Sequence, residues 1–189
     1  TWCSLFDLSI NDLRGIALYR AVSELGEQNR HYTLSDIERA VRRDTRAQDK
    51  TKEALLNRLS IARKWGIFRE EDVSRTGDEL FTTEAINVVD LSVVDPGPHG
   101  LRALIVDMLA RHLFGQRTRA RRQEEFGLPV ELPRVWLALD EAHQFVPSSG
   151  TAICKDMLIR WVKEGRQPGL GLIAATQQPA AMDAELLSQ

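Results

Sequence analysis

The chain reads as an α/β protein built on a mostly parallel sheet, on three observations. Residues 135–139, Val-Trp-Leu-Ala-Leu, form an unbroken apolar run, the pattern of a strand covered on both faces. Residues 170–175, Leu-Gly-Leu-Ile-Ala-Ala, form a second such run. Between them Ile153, Met157, Leu158, Trp161 and Val162 recur at helical spacing, so a helix over 151–164 joins one strand to the next. Strand, helix, strand is the layout of parallel neighbours.

Both apolar runs end in polar residues. Asp140 and Glu141 follow the first, and open α/β sheets present their ligands at the C-terminal ends of the strands. In phosphoryl chemistry an adjacent acid pair divides the work: Asp140 reaches a Mg²⁺ shell, and Glu141 orients or deprotonates the attacking water. Thr176 and Gln177 follow the second run. Set along the same edge, Gln177 can sense a γ-phosphate or hold the lytic water by hydrogen bonds. Taken singly, the acid pair reads equally as the opening of a loop, and Thr176-Gln177 as turn chemistry. The occurrence of both favours the active reading.

On Leu-Asp-Glu-Ala-His-Gln-Phe at 139–145, Glu-Gly-Arg at 164–166 and Gly-Leu-Gly-Leu-Ile-Ala-Ala-Thr-Gln-Gln-Pro at 169–179, the chain resembles the HerA branch of the HerA/FtsK DNA-pumping ATPases. The likeness is specific over 135–189 and looser back to 86. It implies a partial RecA-like P-loop NTPase core, ATP with Mg²⁺, a homo-oligomer in the form of a hexameric ring, cytoplasmic location and translocation on double-stranded DNA. It also implies that Asp140 and Glu141 are the Walker B pair and Gln177 the sensor. Arg166 would be the finger that reaches the neighbouring subunit's nucleotide. Motors of this kind commonly work with a nuclease, although no residue here names one. Two other readings compete. Asp140-Glu141-Ala142-His143 also spells the DEAH motif of superfamily II helicases, but those usually carry Ser-Ala-Thr on the next core strand, whereas Ala-Thr-Gln here runs into Gln178-Pro179. A non-hydrolysing ring scaffold that recruits a nuclease or other effector would keep the fold and need no intact phosphate loop.

Composition bounds these readings. With 189 residues, 43% hydrophobic and 28% charged, the chain can bury a core. A formal net charge of -2 predicts no global attraction to nucleic acid, so any DNA contact must come from a local patch or from many subunits together. Cys3 and Cys154 have no metal-ligand spacing and point weakly to a reducing compartment. No apolar window is long enough to span a bilayer and no secretory signal opens the chain. The chain starts at Thr1 without methionine and stops at Gln189 in a helical pattern, so it reads as part of something longer. The phosphate loop Gly-x-x-x-x-Gly-Lys-Ser/Thr is missing, for no Gly-Lys dipeptide occurs. Lys50-Thr51 imitates its tail without the glycines and reads as a helix start capped by Asp49. The cradle is expected upstream of Thr1.

The remaining elements follow in order. Residues 10–25 read as an amphipathic helix ended by Gly26. Thr33 to Glu38 is a capping signature leading into a helix through Val41, and a second helix over 54–64 turns Leu55, Leu56, Leu59 and Ala62 inward. With a hairpin over 68–81 turning at Thr76-Gly77-Asp78, these would form a winged-helix module with Arg58, Arg63 and Lys64 facing a DNA groove. The alternative is a helical insertion with those charges solvated. The expected division is therefore 1–85 as an insertion and 86–189 as the C-terminal portion of the ATPase core. Residues 86–91 should resume the sheet and 93–98 should break it as a stiff loop. A helix over 101–114 should bury Leu101, Leu104, Ile105, Met108, Leu109, His112 and Leu113, with His112 a core histidine rather than a ligand. Arg117, Arg119, Arg121 and Arg122 are the densest cationic run. They read either as a loop that grips DNA phosphates inside a ring or as a solvated helix end.

Overall fold

The structure is a computed structural model that describes residues 2–28, 32–68, 81–82, 85–94, 100–130 and 132–188. The chain divides into two compact units, Thr1–Arg75 and Thr76–Gln189.

Among its described residues the first unit carries the helices α1 (Trp2–Leu5), α2 (Leu13–Gln28), α3 (Leu34–Arg43) and α4 (Asp49–Arg63). Leu18, Ile37, Val41, Leu55, Leu59 and Ala62 are sealed between α2, α3 and α4. The start of α3 is written in the sequence. Thr33 Oγ1 accepts the Asp36 amide at 3.3 Å, and Asp36 accepts the Thr33 amide at 2.8 Å, so two otherwise orphaned donors are satisfied together. The start of α2 comes three residues later than expected, at Leu13, where Asp12 accepts the Arg14 amide at 3.0 Å. Gly26 does not end that helix, which runs on to Gln28. Asp49 is the first helical residue of α4 and Gln48 its cap. Gly15 has a packing reason: a Cβ there would lie 1.9 Å from the Ser9 carbonyl oxygen. Trp2, Phe6, Trp65 and Phe68 form a ring cluster, with the Trp2 and Phe68 centroids 5.5 Å apart. Arg63 pairs with Glu38 at 3.0 Å, tying α4 to α3. The hairpin expected over 68–81 lies outside the described residues except at its two ends.

The second unit carries α5 (Leu101–Glu125), β1 (Val135–Leu139), α6 (Lys155–Glu164), β2 (Leu170–Ala174) and α7 (Ala184–Leu187). The strands pair in parallel, Val135 beside Leu170 through Leu139 beside Ala174, and α6 is the crossover. This gives the α/β class with a small parallel sheet. Trp161 of α6 is fully buried, and its indole N–H donates to the Gly171 carbonyl at 3.0 Å, which fixes α6 on β2. Phe114 of α5 meets that indole edge-on with centroids 6.2 Å apart. No helix among the described residues is long and apolar enough to cross a membrane.

Three expectations need correction here. Among the described residues the sheet is covered on one face only. Leu139 and Leu170 are buried, whereas Trp136 is 69% exposed and Ala138 and Ile173 share its open side. Trp136 lies across Gly171, where a Cβ would come within 2.5 Å of the indole. Residues 86–91 do not extend the sheet: they have no regular structure, and Ile86 is 94% exposed. Finally, α5 runs 25 residues, well past 114, and its buried side is rotated from the expected stripe. Met108 is exposed, and Ala103, Val106, Ala110, Leu113, Phe114 and Arg117 point inward beside Leu101 and Leu104. Small alanines let α6 approach closely, and they weigh little in a hydrophobic stripe. The loop expected over 93–98 lies outside the described residues from 95 on.

Candidate functional site

The sheet has two ends of different character. At its C-terminal end the hydrogen-bond ladder continues past the strands. Ala175 N–H donates to the Leu139 carbonyl and Ala142 N–H to the Ala175 carbonyl, each at 2.9 Å. The two exit segments therefore run side by side, with no other element between them. Asp140 and Glu141 leave β1 there, and Thr176 and Gln177 leave β2. Further on, Asp183 N–H reaches the Val146 carbonyl at 2.9 Å and Ser148 N–H reaches the Ala181 carbonyl at 2.8 Å. Lys155 secures both segments, donating to the Pro147 carbonyl and pairing with Asp183, each at 2.8 Å.

Within this frame the acid pair is set by its backbone. Asp140 is exposed, and its Oδ1 accepts the Glu141 amide at 2.9 Å. Its second oxygen has no hydrogen-bond partner among the described residues, which leaves it open to a cation. Glu141 holds φ +48°, a left-handed conformation that costs a side-chain-bearing residue roughly 1–2 kcal/mol. Its carbonyl then accepts the Gln144 amide at 2.9 Å, opening a one-turn 3-10 helix over Ala142–Gln144. Glu141 Oε2 lies 3.3 Å from His143 Nδ1, and the same nitrogen lies 3.0 Å from Thr176 Oγ1. Thr176 Oγ1 in turn accepts the Gln178 amide at 3.0 Å. Gln177 is exposed beyond this turn. One exposed carboxylate, one half-exposed carboxylate and one free amide thus line one edge. That set can supply a single ligand to a hard cation, a base for water and a hydrogen bond to a phosphate oxygen.

The opposite end is a structural joint. Arg117, 1% exposed, donates to the Pro168 carbonyl before β2 at 2.8 Å and to the Leu132 carbonyl before β1 at 2.7 Å. Two further N–H groups meet Glu124 Oε1 at 3.0 and 3.1 Å. Arg117 is therefore not part of any surface that a DNA phosphate meets. Nor is the arginine run a loop, since all four residues lie within α5. Arg121 pairs with Glu124 and Glu125 at 3.1 and 3.3 Å, while Arg119 and Arg122 are exposed.

Arg166 lies at this same end, exposed on the turn before β2. Among the described residues no carboxylate pairs with it. Glu164 is taken by Arg160 at 2.7 Å, and Arg160 also sits 4.8 Å above the Phe114 ring. Arg166 borders an open cleft shared with Arg121, Lys163 and Gln167. β2 alone spans roughly 13 Å at about 3.3 Å per residue, so Arg166 cannot join Asp140 and Gln177 within one chain. Among the described residues no group of three or more His, Cys, Asp or Glu side chains is arranged to hold a metal ion by itself. Sequence reasoning set Arg117 in a run that meets DNA, whereas the structure gives it a structural place, and it assigned no role to His143, whose only signal was its position two residues after Glu141.

No protein-family model matches the chain. Curated proteins do. It is 27% identical over 135 residues to a protein named as a probable helicase in Methanocaldococcus jannaschii, covering 65% of this chain and 25% of that protein. It is 31% and 29% identical over 104 residues to the DNA double-strand break repair helicases HerA of Sulfolobus acidocaldarius and Saccharolobus solfataricus, covering 55% of this chain and 20% of each. The chain thus spans a fifth to a quarter of the length of these relatives. The resemblance read from the motifs is borne out as that of a HerA-like fragment.

Proposed function

We propose that this chain is the acid-pair-to-sensor portion of a HerA-like ATPase that drives translocation on double-stranded DNA. The observation that carries the reading is the parallel register of β1 and β2, which sets Asp140, Glu141 and Gln177 on one edge of one sheet. In this reading the second unit is part of a RecA-like core, the helical first unit is an insertion, and the phosphate cradle lies in sequence outside this chain. Asp140 would hold Mg²⁺ by one carboxylate oxygen, in keeping with a cation that takes one or two carboxylates, and the ion would supply charge neutralisation for the phosphates. Glu141 orients and deprotonates the water, and Gln177 hydrogen-bonds the γ-phosphate or that water.

Arg166 serves the nucleotide of a neighbouring subunit. Its free guanidinium and its place at the far end of the sheet support action in trans, which requires an oligomer such as a hexameric ring. DNA contact, if it uses α5, falls to Arg119 and Arg122, the exposed members of the run.

The test is Glu141→Gln in the full-length protein, which keeps shape and removes the base. DNA-stimulated ATP turnover should fall about 10²- to 10⁴-fold with ATP binding retained. Turnover at the wild-type rate would remove Glu141 from the chemistry. A wild-type protein that binds nucleotide and never turns it over would favour the scaffold reading.

A further inference from the structure

We infer that His143 is a positioning residue that ties the orientation of the Glu141 carboxylate to the strand carrying Gln177. This rests on the proposed reading of Glu141 as the base. The observation is a single nitrogen with two partners on different strands' exits. Nδ1 lies 3.3 Å from Glu141 Oε2 and 3.0 Å from Thr176 Oγ1. Chemistry selects the tautomer. A carboxylate beside a bare nitrogen lone pair would be repelled, so Nδ1 carries the proton, donates it to Thr176 Oγ1 and keeps its positive N–H end beside Glu141 Oε2. Thr176 Oγ1 then accepts from Nδ1 and from the Gln178 amide at 3.0 Å, which leaves its own hydroxyl proton free to donate outward.

The Glu141 backbone cannot fix its carboxylate alone. The residue stands in a left-handed conformation at the start of a short turn, and 38% of its side chain is exposed. The imidazole is better buried, with 17% of its side chain exposed. It therefore behaves as a fixed donor against which a freer acid is held. Its other anchor is the residue immediately before Gln177. Any movement of the Thr176–Gln178 turn, such as engagement of Gln177 by a phosphate oxygen, shifts the hydroxyl and with it the imidazole that stands beside Glu141. The base is then aligned when the sensor is engaged and released when it is not. The linkage acts on the orientation of the base, so its effect belongs to the rate of the chemical step and not to nucleotide affinity.

A double-mutant cycle in the full-length protein reads this directly, with His143→Ala, Thr176→Val and the pair. Thr176→Val approaches the contact from the other strand with little change of shape, so it guards against a misfolded His143 variant. Each single change should lower kcat for ATP by up to about 10²-fold, the scale of a misplaced reacting group, with KM nearly unchanged. The double variant should be no slower than the worse single one, because one linkage is broken in each case. His143→Asn, whose amide can replace Nδ1–H, and Thr176→Ser should recover most of the rate. Additive losses, a change confined to KM, or full activity in Thr176→Val would overturn the inference. Glu141→Gln measured alongside separates the two claims. An inactive Glu141→Gln with a wild-type Thr176→Val defeats the coupling alone, and an active Glu141→Gln defeats the reading of the base itself.

Discussion

At one end of the β1–β2 sheet, Asp140, Glu141 and Gln177 stand exposed or half-exposed and hydrogen-bond chiefly among their own neighbours. At the other, Arg117 is buried and hands nearly all of its donors to carbonyls and a carboxylate of its own unit. Arg166, a short turn from that joint, has no partner for its guanidinium among the described residues. Two cations at the same edge thus have opposite fates, and the difference lies in what satisfies them. A fork filled by backbone carbonyls holds strands in register, whereas an unfilled fork at the surface is available to a ligand.

The sharpest way to break this contrast is at Arg166. In the assembled protein Arg166→Ala should lower ATP turnover by about 10³- to 10⁵-fold while ATP binding and assembly persist. Mixing Arg166→Ala subunits with Glu141→Gln subunits should restore part of the activity, since some interfaces would then combine an intact base with an intact arginine. No recovery on mixing would place both residues in the service of the same subunit, against the geometry.

The next largest effect concerns Arg117. Arg117→Ala should lower the stability of the second unit by at least about 2 kcal/mol, because the Pro168 and Leu132 carbonyls lose their donor. Arg119→Ala and Arg122→Ala should leave the melting temperature unchanged and reduce the salt dependence of DNA binding. Cys154 offers the readout. Burial pushes its thiol up to about 12, so it should resist alkylation at neutral pH until the unit opens, and should label faster in Arg117→Ala. Equal melting temperatures for Arg117→Ala and Arg122→Ala would erase the distinction between them.

The smallest effect lies in the first unit and serves as a control outside the sheet. Thr33→Ala should cost about 1 kcal/mol in urea unfolding, with no change in turnover. Asp36 faces the same cap, and the Thr33 backbone N–H, then its hydroxyl, hold that carboxyl below its ordinary value of 3.8. A depressed carboxylate contributes stability above 3.8 that is lost as pH falls through its lower folded value. The gap between Thr33→Ala and wild type should accordingly narrow in acid.

These contrasts also mark what could be read in advance. The bounds of β1 coincide with the apolar run, and β2 falls one residue short of its run, because strands joined by a helix leave uninterrupted signals. The α3 cap was legible because both of its partners are local. Arg117 was not. Its partner carbonyl at Pro168 lies 51 residues away, and nothing in a run of arginines says which one turns inward. The open face of Trp136 was equally hidden, since an apolar run records what a strand can be covered by, not what is present to cover it. The linkage through His143 depends on strand register, which fixes Thr176 opposite the turn after Glu141, and no spacing along the chain encodes that.

The left-handed backbone at Glu141 carries a final consequence. Glycine occupies that region without penalty, so a Glu141→Gly protein should melt no lower than the wild type, the relief of backbone strain roughly offsetting the added freedom of its unfolded chain. Durability alone would therefore favour glycine at this position, and on the proposed reading the work of the side chain accounts for an acid held there at a small and lasting expense to the fold that bears it.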